Sequence, residues 1–225
     1  MNLKEISWLF FDLGNTLIDE SKPEEIRIKS IQTACKDVGL ELTTEYIRQQ
    51  IETASANYAQ NIIKEAVKNI IKNDAELNYV LEKTTYLKEL EEPFYDAAES
   101  LERFHKLYSI GIIANQSLGT EDRLKKYGLW NFIDLCLPSA EIGMKKPDPK
   151  FFLLALEKAG SKPENAVMIG DRLDNDIYPA KKLGLKTIHV LRGFGKFQTP
   201  KSEEYKADYT IRELKELLNI LRDSE

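Results

Sequence analysis

Ile6-Ser7-Trp8-Leu9-Phe10-Phe11-Asp12-Leu13-Gly14-Asn15-Thr16 opens the chain with an apolar run that stops at an aspartate and a turn. The run from Ile6 to Phe11 is nearly all apolar, the pattern of a strand buried on both faces of a parallel sheet. Asp12 to Asn15 supplies the turn formers that end it.

Four further short apolar runs fit the same reading, at Ser109–Ala114, Ile133–Leu137, Ala166–Ile169 and Lys186–Leu191. Helical patterns lie between or before them. Tyr95–Leu107 precedes the second strand. Thr120–Tyr127 ends at Gly128, Asp148-Pro149 opens a helix that stops at Gly160, and Asn175–Leu183 ends at Gly184. Asp before a helix, Pro at its first position and Gly just past its end are boundary signals with a steric basis. Strand alternating with helix predicts an α/β fold with a doubly wound parallel sheet.

Residues 21–92 read differently. Ser21-Lys22-Pro23-Glu24 has the spacing of a capping box, followed by Ile28, Ile31, Cys35 and Val38 at helical intervals. A longer helix is expected to carry Ile47, Ile51, Ala54, Tyr58, Ile62, Ala66 and Ile70, and a third to cover Leu77–Leu90, limited by Pro93. No strand signal interrupts the region. The expected division is therefore an α/β core of residues 1–20 and 93–225, with an all-helical insertion at 21–92. Thr210-Ile211-Arg212-Glu213 reads as a second capping box, opening a final helix with Ile211, Leu214, Leu218 and Leu221 on one face. Lys196–Lys206 has the least regular pattern.

Composition narrows the function. The 225 residues include 32 basic and 37 acidic side chains, a formal net charge of −5, which argues against a broad nucleic-acid-binding face. No apolar run approaches the ~20 residues of a membrane span, and the N-terminus lacks a secretory pattern, so a cytoplasmic protein is expected. Two cysteines and two histidines exclude a disulfide framework and a multi-histidine zinc site. His105 and His189 read as packing residues.

Open parallel sheets bind ligands at the carboxyl ends of their strands. Asp12–Thr16, Asn115–Ser117, Lys145-Lys146-Pro147 and Gly170–Asp176 fall at such positions. They bring carboxylates, amides, a hydroxyl and an ammonium to one rim, an inventory suited to a divalent cation and a phosphate. A carboxylate there can also attack phosphorus and form an aspartyl-phosphate. Asp174 reads as a helix cap, and Asp176 as either a direct metal ligand or a partner of one.

Asp12-Leu13-Gly14-Asn15-Thr16, Asn115, Lys146-Pro147 and Gly170-Asp171-x4-Asp176 resemble, in order and over essentially the whole chain, the four motifs of the haloacid dehalogenase (HAD) superfamily. The resemblance implies a Rossmann-like HAD core whose helical insertion is a cap domain. Asp12 matches the nucleophile and Lys146 the lysine that offsets charge on nucleophile and phosphate. Thr16, Asn115 and Lys146 match substrate-binding positions. The resemblance implies a Mg²⁺ site made by Asp12, the Gly14 carbonyl, Asp171 and Asp176.

Two positions depart from the family pattern. Gly14 stands where a second aspartate usually protonates the leaving group, and Ala114 where a Ser or Thr usually precedes the motif-two residue. General acid catalysis is typically worth ~10²–10⁴-fold, so alkyl phosphates suffer more from Gly14 than aryl phosphates. The expected function is a Mg²⁺-dependent phosphatase acting on a small phosphorylated metabolite. The alternatives are a metal-independent 2-haloacid dehalogenase, against which Asp171 and Asp176 argue, and a catalytically weak HAD protein that binds a phosphorylated ligand.

Overall fold

The structure is a computed structural model that describes residues 5–222. It has two compact units. One comprises the chain up to Asp19, Glu92–Arg192 and the chain from Pro200; the other comprises Glu20–Glu91 with Gly193–Thr199.

The first unit is built on β1 (Trp8–Phe11), the centre of a six-stranded parallel sheet. Its neighbours are β4 (Ser109–Ala114) on one side and β6 (Ala166–Gly170) on the other. Beyond them lie β5 (Leu135–Pro138), β7 (Lys186–Val190) and β8 (Tyr209–Ile211), in the order β5-β4-β1-β6-β7-β8. Leu9 and Phe11 bury into one face with Leu101 of α5 (Ala97–His105), Leu124 of α6 (Thr120–Lys126) and Leu218 of α10 (Lys215–Arg222). Phe10 points to the other face with Phe151 and Phe152 of α8 (Pro149–Ala159) and Ala180 of α9 (Tyr178–Lys182). Strand alternation thus carries apolar side chains to both faces, as the unbroken run requires. Gly111 in β4 leaves room for the Phe10 ring; a Cβ there would fall on it. The order of strands reverses at β1, so the crevice of the sheet opens at its carboxyl end, at Asp12. A short antiparallel pair, β2 (Ile18–Asp19) and β3 (Glu92–Pro93), follows the first loop, and α7 (Ser139–Ile142) follows β5.

The second unit packs α1 (Ser21–Asp37), α2 (Thr44–Ala56), α3 (Ile62–Ile70) and α4 (Asp74–Lys83) around Ile28, Ile31, Cys35, Ile47, Ile51, Val67 and Val80. Gly193–Thr199 joins this core. Phe194 packs against it, the Ser55 hydroxyl donates to the Phe194 carbonyl at 2.8 Å, and the Tyr58 hydroxyl donates to that of Thr199 at 2.6 Å.

Several local expectations are corrected. Ser21–Glu24 forms no capping box: Glu20 occupies the cap position and its side chain does not cap the helix, while the Glu24 carboxylate accepts from Arg27. The helix expected through Ile47–Ile70 breaks after Ala56. Tyr58 takes a left-handed backbone, and Asn61 caps α3 by accepting from the Lys64 N–H. The helix expected over Leu77–Leu90 stops at Lys83, leaving a single tight turn at Lys88–Leu90. Asn175–Leu183 becomes a wide turn over Leu173–Ile177, with Ile177 N–H reaching back five residues to Arg172, and then α9. Thr210–Glu213 is no capping box either. Tyr209–Ile211 is the edge strand β8, and Glu216 accepts the N–H groups of Arg212 and Glu213 ahead of α10. Among the described residues, no helix is long and apolar enough to cross a membrane.

Candidate active site

The loop after β1 turns back at once. The N–H groups of Leu17 and Ile18 both donate to the Leu13 carbonyl at 2.9 Å, and Asn15 holds φ at +53°, a left-handed conformation that asparagine tolerates better than most residues. Asp12 sits at the start of this turn, its N–H still bonded to the Ile169 carbonyl at 2.9 Å. Its side chain is 13% exposed, so it meets the crevice without lying in bulk solvent.

Lys146 comes to Asp12 from the segment before α8. Its ammonium donates to Asp12 Oδ1 at 2.7 Å and to Asp176 Oδ1 at 2.5 Å, and the residue is only 3% exposed. Burial alone would lower the ammonium's pKa, but the Asp12 and Asp176 carboxylates outweigh it and hold Lys146 above the usual lysine range. Asn115 fixes the backbone beneath this side chain. Its amide accepts from the Lys146 N–H at 2.8 Å and donates to the Lys146 carbonyl at 2.9 Å, next to a cis Lys146-Pro147 peptide. Both polar atoms of the Asn115 side chain are therefore engaged by Lys146.

β6 delivers Asp171, and the wide turn after it delivers Asp176. Carboxylate oxygens of Asp12, Asp171 and Asp176 lie within 4.8 Å of one another. An all-oxygen set of this kind suits a hard divalent cation such as Mg²⁺. The three do not stand alike, because both Asp176 oxygens already have partners: Oδ1 takes Lys146, and Oδ2 takes the Arg172 N–H at 3.0 Å. Burial pushes the Asp176 carboxyl up to about 6, against the pull of the Lys146 ammonium. Gly170 is required behind it, since a Cβ there would fall on the Asp176 carboxylate. Gly170→Ala should therefore displace Asp176 from Lys146, lower stability by about 1–3 kcal/mol and reduce turnover. Thermal unfolding and steady-state rates at pH 7.5 test this; a variant matching wild type in both contradicts it.

Thr16 is fully buried, and its hydroxyl has no hydrogen-bond partner among the described residues. Its carbonyl accepts from Arg192 at 2.8 Å. Ala114, the last residue of β4, is fully buried and brings no hydroxyl. Asp174 caps no helix. It receives a two-pronged contact from Arg172, at 3.0 and 2.6 Å, beside Asp171.

Sequence reading missed three contributors. His189 is buried and bonds the Asp171 carbonyl at 2.8 Å through Nε2. Burial lowers its pKa, so the ring is neutral at pH 7 with the proton on Nε2. Arg192 and Asp96 form a buried, two-pronged pair at 2.9 and 2.8 Å, next to the Thr16 loop. Their only sequence signal is charge at the ends of apolar runs, which many surface residues share.

The family profile described as haloacid dehalogenase-like hydrolase matches residues 9–190. The glyceraldehyde 3-phosphate phosphatase of Methanocaldococcus jannaschii is 29% identical to this chain, covering 97% of it and 98% of its own length. That of Pyrococcus furiosus is 32% identical, with 97% and 94% covered. Among solved structures, an HAD phosphatase from Thermococcus onnurineus has a TM-score of 0.62 at 23% identity, covering 96% of this chain and 98% of that one.

Proposed function

The chain belongs to the haloacid dehalogenase-like hydrolase family, and from that premise we propose that it is a Mg²⁺-dependent phosphatase of small phosphorylated metabolites. One observation carries the reading. Asp12, at the carboxyl end of the central strand, has a buried ammonium 2.7 Å from one oxygen and two further carboxylates within 4.8 Å. The names of the relatives, glyceraldehyde 3-phosphate phosphatases, support a reading in which the substrate is a short phosphate monoester. The helical unit is read as the cap that selects among them.

Asp12, Asp171 and the Gly14 carbonyl would hold the ion. When bound, Mg²⁺ supplies a Lewis acid that offsets charge on the phosphoryl oxygens. Asp12 attacks phosphorus through a carboxylate oxygen, the bond from phosphorus to the ester oxygen breaks, and the departing alkoxide keeps the electron pair. Lys146 remains protonated throughout and stabilises the charge that builds up in the transition state. Asp176 orients Lys146, and Asn115 fixes the backbone that carries it. Gly14 has no proton to give, so the leaving oxygen takes one from water. A second water attacks phosphorus, loses its proton to solvent, and restores the Asp12 carboxylate with release of inorganic phosphate.

The test is hydrolysis of p-nitrophenyl phosphate and glycerol phosphate, with Mg²⁺ and after chelation, for wild type and Gly14→Asp. Wild type should turn over p-nitrophenyl phosphate only with Mg²⁺. Gly14→Asp should raise the rate on glycerol phosphate by about 10²-fold and change the aryl ester little, because p-nitrophenolate departs without an acid. Equal effects on both esters would sink the assignment of Gly14 as a missing acid. A folded protein that hydrolyses neither ester would sink the phosphatase reading. In that case halide release from a 2-haloacid without metal would favour the dehalogenase.

A further inference from the structure

We propose that His189 and Arg192 are positioning residues, which hold the loops carrying Asp171 and Asp12 by their backbone carbonyls. The inference rests on the reading that these loops carry the divalent ion.

Both residues come from one stretch, the end of β7 and the two residues beyond. Strand register places His189 opposite Gly170, the last residue of β6, and the ring then reaches forward to the carbonyl of the next residue, Asp171. Three residues later Arg192 reaches the carbonyl of Thr16, four residues past Asp12, at 2.8 Å. The same guanidinium also donates to the Arg212 carbonyl at 3.2 Å, grips the Asp96 carboxylate and lies 3.9 Å over the Phe94 ring. Asp96 in turn accepts the Leu214 N–H at 2.7 Å, ahead of α10.

The chemistry of burial explains why these residue types stand there. Where β1 and β6 end, the chain turns away from the sheet, and carbonyls in the following loops must find donors elsewhere. His189 is 4% exposed and Arg192 8% exposed, depths at which an aliphatic side chain would pack without desolvating a polar group. An aliphatic residue at either position would take a donor away from a loop carbonyl. The donors therefore serve the loops, and a carbonyl held in place fixes the φ and ψ angles that aim the neighbouring carboxylate. Groups that orient metal ligands in this way typically change metal affinity by about 10–100-fold when removed.

The experiment compares wild type with His189→Phe, which keeps a ring but loses the donor, and His189→Gln, whose amide can donate to the same carbonyl. Arg192→Met and Arg192→Lys form the second pair. Mg²⁺ affinity is measured by calorimetry on metal-free protein. Thermal stability, and kcat and KM on p-nitrophenyl phosphate, are measured alongside. His189→Phe should weaken Mg²⁺ binding by about 10-fold or more, and His189→Gln should recover most of it. Arg192→Met should lower kcat with KM little changed, and Arg192→Lys should recover part of it. Should Arg192→Met fail to fold, the histidine pair decides alone. Variants that lose thermal stability but keep wild-type Mg²⁺ affinity and kcat would overturn the inference, leaving both residues purely structural. Wild type that neither binds Mg²⁺ nor turns over would overturn it too, by removing the phosphatase reading beneath it. The two failures are told apart by wild type alone.

Discussion

Asp12→Asn should abolish turnover of every phosphate ester, with a loss of about 10⁴-fold or more, while leaving the fold intact. An amide oxygen is too weak a nucleophile to displace an alkoxide from phosphorus, so the covalent route closes. The substitution is nearly isosteric, and the amide oxygen can still accept from Lys146, whose other carboxylate partner, Asp176, remains 2.5 Å away. Folding should therefore change by no more than about 1 kcal/mol, the worth of an ordinary hydrogen bond. Acid quenching during turnover, followed by intact-mass measurement, checks the chemistry directly. Wild type should carry a covalent phosphoryl group, and the variant should carry none. Residual activity within tenfold of wild type would show that another group attacks phosphorus.

Lys146→Met has the next largest effect, and it falls on both activity and stability. Removing a buried cation leaves Asp12 and Asp176 facing each other uncompensated, a change that costs about 3–5 kcal/mol where a buried pair is broken. Turnover should fall by about 10²–10³-fold, as when one preorganised electrostatic contact is lost. The stability loss should depend on pH. Burial pushes the Asp176 carboxyl up to about 6 in the folded protein, above the ordinary 3.8. Its favourable contribution is present below the ordinary value and is lost as pH rises through 6. Without the ammonium the midpoint moves higher still, so the folded variant is disfavoured further into the alkaline range. Urea unfolding at pH 5 and pH 8 should show a larger deficit against wild type at pH 8. An equal deficit at the two values would mean that Asp176 is not the group left uncompensated.

Much of this arrangement is legible in the chain because it depends on local pattern. The unbroken apolar run before Asp12 announces a central strand, and the residues after each such run are the ones that meet at the sheet's edge. Asp148, Pro149 and Gly160 mark α8 correctly because each acts on its own backbone, through a side-chain cap to the Lys150 N–H, a fixed φ and a left-handed end. The failures lie where local pattern competes with distant partners. Glu24 has the spacing to reach back to a helix start, but Arg27 takes it. Thr210-Ile211-Arg212-Glu213 has the same spacing, yet β7 offers Tyr209–Ile211 a sheet edge, and pairing there satisfies more backbone than a cap does. Tyr58 keeps the helical interval of its neighbours while its backbone leaves the helix, and periodicity carries no trace of that turn. His189 and Arg192 act on carbonyls 18 and 176 residues away in sequence, which no window of the chain contains.

Gly193–Thr199 bears on how this protein can be taken apart. Phe194 belongs to the apolar core of the helical unit, and that unit also includes a piece of chain from between β7 and β8. The helical unit is therefore not a cassette with a single entrance and exit. A chimera that exchanges residues 20–91 alone would bring in helices shaped for another sequence while retaining the native Phe194 and the carbonyls that Ser55 and Tyr58 once bonded. Transplantation between relatives has to move both stretches together, which ties the inheritance of the helices to that of a loop more than a hundred residues downstream.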